Sequence, residues 1–357
     1  MKYLLLAGFI ITTLTVRSQS VVSLADSIRR QYQIPGMAFA VVSSDSVLAC
    51  HSIGVQRMNK EYPVKAGDRF HIGSNTKAIT AFIAALLVKE NKLQWNTTFL
   101  SMFPELRWRT RYVYDTVTLA NLLTFRGRVQ GYTYTSSTPA FTDLHGDYAA
   151  QRKQLAANFL TQSPMKLDAN KMTPSNVDYI MAGLMLEKAA GKPYKELVAD
   201  LGRQLHIDFQ FDYPNLKDTL QPWGHNEQLQ PLRPSVDYKM NWLLAAGNIN
   251  VSLEDYLRFI QLPLKGLKGK SALLPQQTFE QLLYSMPVFS YGWFNETDQE
   301  TGHHIAANEG NAGAFITKVQ VIREADRAYI IFTNVSSAAA QEGIAVLLKA
   351  LSVRYGR

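Results

Sequence analysis

The chain predicts an α/β (α+β) fold: one antiparallel β-sheet flanked by helices, interrupted by a long, mostly helical insertion. Three observations carry this expectation. Alternating apolar segments near both ends read as β-hairpins, a helical pattern lies outside each hairpin, and the stretch from 81 to 286 shows helical periodicity and loops rather than alternation.

In chain order, the first segment has a basic start at Lys2, an apolar run from Leu4 to Val16 and a polar end at Arg17 to Ser20. That pattern reads as a signal peptide over residues 1–19, too short to anchor in a bilayer, and places the product in the periplasm or outside the cell. The absence of a cysteine near the cleavage region argues against a lipid-modified N-terminus. Ser23 to Tyr32 carries Leu24, Ile28 and Tyr32 on one side and closes at Ile34-Pro35-Gly36, so it reads as a helix. Met37 to Ser43 and Val47 to Val55 alternate around Ser44-Asp45-Ser46 as a hairpin, and Ala314 to Ile322 with Ala328 to Val335 form another. Ser337 to Val353 is the last helix. Between these ends, Leu119 to Thr124, Gln151 to Leu160, Val177 to Lys188, Tyr194 to Leu205 and Leu253 to Gln261 are the clearer helical pieces. The implied organisation is a signal peptide and one domain over 20–357, its sheet lobe drawn from 20–80 and 287–357 and its helical lobe from 81–286.

Composition narrows the function classes. The formal charge of +8 is spread along the chain, and no later stretch is long and apolar enough for a membrane helix, so neither nucleic acid nor a bilayer span is suggested. Cys50 is the single cysteine; no internal disulfide can form, which suits a bacterial periplasm, and its alternating surroundings make it a strand residue rather than a catalytic thiol. The seven histidines show no metal-ligand spacing, so no metal and no cofactor is implied. The expected partner is a small-molecule or peptide substrate.

The chemistry concentrates at Phe70-His71-Ile72-Gly73-Ser74-Asn75-Thr76-Lys77 and the apolar run after it. Ile79, Phe82, Ile83, Leu86 and Leu87 recur at helical spacing and predict a helix with one buried stripe. Ser74 falls at its N-terminus, and the three-residue spacing to Lys77 puts hydroxyl and amine on one face. A lysine held neutral by burial can take a serine proton, and free N–H groups at the helix start can stabilise an oxyanion. By itself Ser-x-x-Lys also describes a helix-capping serine with a solvated lysine.

Context favours the first reading. The segment, with Asn91-Lys92-Leu93, Phe103-Pro104-Glu105-Leu106, Pro174-Ser175-Asn176, Leu186 to Tyr194, Ala245 to Ile249, Tyr291-Gly292-Trp293 and Asn308 to Phe315, resembles in order the serine β-lactamase and penicillin-binding-protein superfamily, in its class C-like β-lactamase, D-alanyl-D-alanine carboxypeptidase and esterase branch. The resemblance implies a serine hydrolase working through an acyl-enzyme on a small ester, peptide or β-lactam. Ser74 and Lys77 would be the catalytic pair and Asn176 would position the acyl group. The third motif is Asn308-Glu309-Gly310, and the oxyanion would rest on the N–H groups of Ser74 and Asn311.

Two positions depart from the family pattern. The second motif's tyrosine is Pro174, which offers neither donor nor acceptor from its side chain, and the third motif's Lys or His is Asn308. These departures motivate the alternative, a catalytically degenerate binding or sensor domain. Tyr179, at i+3 from Asn176, could supply the missing phenol or pack in the core. Arg126 and Arg128 could bind a substrate carboxylate or stand solvated on a loop. Of His303 and His304, at most one can face Ser74. Asn176 could equally cap the helix before Val177, and Glu309 could be a base or an exposed strand carboxylate.

Overall fold

The computed structural model describes residues 20–168, 171–233 and 238–356. The stretch read as a signal peptide, residues 1–19, lies outside them. Helix α1 (Val21–Gln31) starts ahead of the predicted boundary because Ser20 caps it, its Oγ accepting from Ser23 N. β1 (Gly36–Val42) and β2 (Val47–Gly54) form the first hairpin. The short β3 (Arg69–His71) then leads into the long α2 (Thr76–Lys89).

The helical part follows as α3 (Phe99–Met102), α4 (Leu119–Leu123), α5 (Tyr148–Leu160), α6 (Asn176–Ala190) and α7 (Tyr194–Leu205). After β4 (Gln210–Phe211) come α8 (Tyr238–Trp242), α9 (Leu244–Gly247), β5 (Ile249–Ser252), α10 (Leu253–Leu267) and α11 (Gln276–Tyr284). The chain closes with β6 (Phe294–Thr297), β7 (His304–Asn311), β8 (Ile316–Ile322), β9 (Arg327–Thr333) and α12 (Ala338–Tyr355).

The six-stranded antiparallel sheet runs β2-β1-β9-β8-β7-β6, so strands from both ends of the chain meet at β1 and β9. Period-2 alternation sorts its two faces. Met37, Phe39 and Val41 of β1, with Tyr329 and Ile331 of β9, pack under α1 and α12 against Ile28, Ile344 and Leu347. Ala38, Ala40, Val42, Ile330 and Phe332 point the other way, into the larger core around α2 and α10. A second, three-stranded sheet, β3-β5-β4, was not foreseen; strands this short contain too little alternation to be read.

Two helices differ from expectation. α2 is buried nearly all round from Thr76 to Ala85 instead of along one stripe, and Leu86, assigned to that stripe, is half-buried. α10 passes through Pro263 and continues to Leu267, because Leu262, Leu264 and Leu267 keep the apolar face in the core. Gly266 lets α11 come close: a Cβ there would lie 2.2 Å from Phe279.

β7 lies against the turn that carries Ser74. A Cβ on Gly310 would sit 1.9 Å from Ile72 O and 2.7 Å from Thr317 Oγ1, so only glycine allows this approach. Gly310→Ala is expected to lower unfolding stability in urea by about 1–3 kcal/mol through overpacking. An unchanged midpoint would contradict the close contact.

Candidate active site

Ser74 occupies a 3₁₀ turn, Gly73–Asn75, between β3 and α2. Gly73 takes φ +49°, and a Cβ on it would fall 2.8 Å from Asn311 N, so the turn needs glycine for conformation and for space. His71, fully buried, fastens the turn from below: its Nδ1 accepts from Gly73 N at 3.1 Å while Nε2 lies 3.3 Å from Asn248 Oδ1. Burial pushes the imidazole down to about 4, which leaves it neutral, with Nδ1 as acceptor and Nε2–H as donor. From the sheet side, Asn75 Nδ2 donates to Thr317 Oγ1 at 2.6 Å, and Thr317 Oγ1 donates to Ile72 O at 3.1 Å.

One turn on, Lys77 is buried in α2 with its Nζ 2.9 Å from Ser74 Oγ, and it donates to Ala246 O at 2.7 Å. The Tyr179 ring stands 5.4 Å away. Burial pulls this amine down from 10.5 to about 7. A neutral amine can give a proton to Ala246 O and turn its lone pair to the serine. The neighbouring carbonyl, that of Ala245, is held from α2. Thr80 Oγ1 spends its one proton on Ala245 O at 2.7 Å, so Tyr194 Oη donates to Thr80 at 2.6 Å. Neither the Ala246 carbonyl nor His71 was assigned a role from sequence; a backbone acceptor carries no residue-type signal.

The third-motif residues divide by strand alternation. Asn308 is buried and its Nδ2 donates to Gly292 O at 2.6 Å, with Ser74 O 3.5 Å away. That amide therefore ties β7 to the turn around Gly292. Glu309, on the opposite side of the strand, is exposed and lies 3.3 Å from Lys318 Nζ. Gly310 and Asn311 contribute backbone; the Asn311 side chain turns aside, Oδ1 accepting from Gly313 N at 2.8 Å.

On the other wall, Asn176 Nδ2 donates to Tyr132 O at 3.0 Å. The helix cap is Ser175, whose Oγ accepts from Val177 N, so the capping alternative for Asn176 does not hold. Tyr179 is buried in the core and donates its hydroxyl to Leu123 O at 2.7 Å, which leaves it unable to replace the phenol absent at Pro174. Arg126 Nη1 donates to Thr124 O and Phe289 O, and Arg128 Nε to Met165 O, so both arginines brace their loop and neither lines the cavity. His304 pairs with Glu324 at 2.8 Å; neither it nor His303 lines the cavity. Cys50 lies on β2, where burial pushes its thiol up, the opposite of an activated nucleophile.

Ser74, Lys77, Asn176, Asn308 and Glu309 open into one cavity of about 270 Å³. Its other walls are mainly Pro174, the second-motif position, and Phe125, Tyr132, Phe289 and Phe294, which carry no sequence signal for the site because they come from distant parts of the chain. Among the described residues that line it, Lys77 is the only lysine, arginine or histidine, and the one acidic residue, Glu309, has its carboxylate turned to Lys318.

The family model described as Beta-lactamase matches residues 21–352. The chain belongs to the beta-lactamase family. This beta-lactamase-family chain is 21% identical over 317 residues to "Protein flp" of Staphylococcus aureus strain N315, a match covering 85% of this chain and 60% of that protein. It is 23% identical over 268 residues to a beta-lactamase of Providencia stuartii, covering 72% of this chain and 63% of the other. It thus spans under two thirds of the length of these curated relatives. Among solved structures, a beta-lactamase/D-alanine carboxypeptidase from Pseudomonas syringae superposes with a TM-score of 0.72 at 18% identity, covering 92% of this chain and 97% of that one, and so shares the fold.

The depressed Lys77 amine has a thermodynamic consequence. Between about pH 7 and 10.5 the unfolded lysine binds a proton that the folded one has lost, so stability rises with pH across that window. The unfolding free energy of the native protein relative to Lys77→Met should therefore rise by about 1.4 kcal/mol per pH unit between pH 7.5 and 9.5. A flat difference would contradict a neutral Lys77.

Proposed function

We propose that this chain is an exported serine hydrolase that works through an acyl-enzyme, with Ser74 as nucleophile and Lys77 as its base. The observation that carries the reading is the buried amine, lowered to about 7, within 2.9 Å of the hydroxyl at the mouth of a cavity. Ser74 Oγ attacks the substrate carbonyl as its proton passes to Lys77 Nζ. The lysine then returns that proton to the departing alkoxide, and the neutral amine is free to take a proton from water when the acyl group is hydrolysed. The backbone N–H groups of Ser74 and Asn311, brought together by Gly73 and Gly310, would receive the oxyanion. Asn176, fixed on Tyr132 O, would orient the acyl carbonyl.

A small, neutral ester is the substrate class best matched to these walls. The cavity is mostly aromatic, and its β7 side has Asn308, its amide held on Gly292 O, where a substrate carboxylate would need a cation. β-Lactams and peptides ending in a free carboxylate fit it less well. An export route rests on the N-terminal pattern of residues 1–19.

The folded protein should be labelled covalently by a fluorophosphonate probe, and Ser74→Ala should abolish the labelling. A well-folded native protein that takes no label would favour the degenerate binding domain that Pro174 motivates. Hydrolysis of p-nitrophenyl butyrate should exceed that of the hemisuccinate, measured as kcat/KM. Equal kcat/KM on both esters would remove the charge argument.

A further inference from the structure

The segment from Arg107 to Tyr112 takes no part in the site above, yet it holds the most exposed aromatic rings among the described residues. Trp108 is 81% exposed and Tyr112 88% exposed. They alternate with Arg107, Arg109 and Arg111, all exposed and with Arg107 3.8 Å from Asp115, so positive charge that reads as dispersed along the whole chain gathers here. The segment is firmly seated. Leu106 and Tyr114 are buried on either side of it, Arg111 N donates to Leu160 O at 3.1 Å, and Arg111 Nε donates to Thr161 O at 2.9 Å. Tyr114 Oη is 3.2 Å from Gln162 O. An ordered backbone thus keeps two large rings in water, a costly arrangement unless something covers them.

Chemistry indicates what covers them. Rings with an apolar body and a polar edge settle at the headgroup level of a bilayer, and arginine forks pair with phosphate oxygens in two parallel bonds. The cationic character continues next door. Lys153, on α5, pairs with Glu105 just ahead of the segment and borders a cavity of about 740 Å³ beside α6 and α7. At that cavity's edge Lys188 lies 4.8 Å from the Phe103 ring centre and Lys195 lies 5.1 Å from that of Phe211.

We propose that the Arg107–Tyr112 segment docks this protein on an anionic phospholipid surface, Trp108 and Tyr112 seated among the headgroups and the three arginines on lipid phosphates. None of these residues lines the Ser74 cavity, so the docking residues are separate from the proposed chemistry.

The test is partitioning of the full chain onto vesicles of phosphatidylcholine alone or with 30% phosphatidylglycerol. Native protein and variants are compared side by side, so that any contribution of residues 1–19 cancels. The combined variant R107Q/R109Q/R111Q should bind the mixed vesicles roughly a hundredfold more weakly, about fivefold per arginine, while on phosphatidylcholine alone it should match the native protein. W108A/Y112A should lower partitioning about tenfold at high salt, where the arginines are screened. Unchanged circular dichroism and fluorophosphonate labelling, or thermal midpoint if no label is taken, verify that the exposed substitutions leave the fold intact. Binding to mixed vesicles that is indifferent to both variants overturns the proposal. So does a lipid-free dimer that both variants dissolve, which would make the segment a contact between copies of this chain.

Discussion

A buried ammonium group has to be neutralised by a counter-ion or by losing its proton, and the interior around Lys77 leaves only the second course. The shift of its amine is caused by burial alone, with no carboxylate contributing. Holding an amine there costs a few kcal/mol relative to solvent, and the surroundings are organised to sustain that cost. α2 is enclosed on almost every side, the carbonyls of Ala245 and Ala246 face it, and the Tyr194–Thr80 pair holds the Ala245 carbonyl. The turn that carries Ser74 is secured separately, by His71 from one side and by Thr317 and Asn75 from the other.

The opposite wall explains how this member of the family differs from the pattern its motifs resemble. Where a lysine or histidine would project toward substrate, Asn308 spends its amide on Gly292 O. Where a phenol would stand, Pro174 presents an apolar ring edge, and Tyr179 is turned into the core toward Leu123 O. The arginines near the cavity are occupied with loop carbonyls. The result is a small aromatic cavity whose one positive group, if protonated, is Lys77. In the proposed hydrolase such a pocket would select by shape and apolar contact more than by charge.

Much of this architecture was legible in the residues. The hairpins at both ends, the helices outside them and the periodicity between them describe the six-stranded sheet and its covering layers, because strand alternation and helical repeats are local signals. The three-residue spacing of Ser74 and Lys77 is local in the same sense. What escaped was everything made by distance in sequence. The β3-β5-β4 sheet joins pieces of two to four residues from three parts of the chain. The Ala246 carbonyl, the His71 brace and the Phe125, Phe289 and Phe294 walls become meaningful only when the chain is folded. The continuation of α10 past Pro263 shows core packing overriding a local breaker signal.

The central claim is that one amine in this protein loses its proton around pH 7 because it is buried. Titrating protein labelled with ¹³C at lysine Cε tests it directly, with the Lys77 resonance assigned by its loss in Lys77→Arg. The account predicts a midpoint near 7 for this signal. A midpoint that stays with the exposed lysines, near the ordinary value of about 10.4, would contradict it.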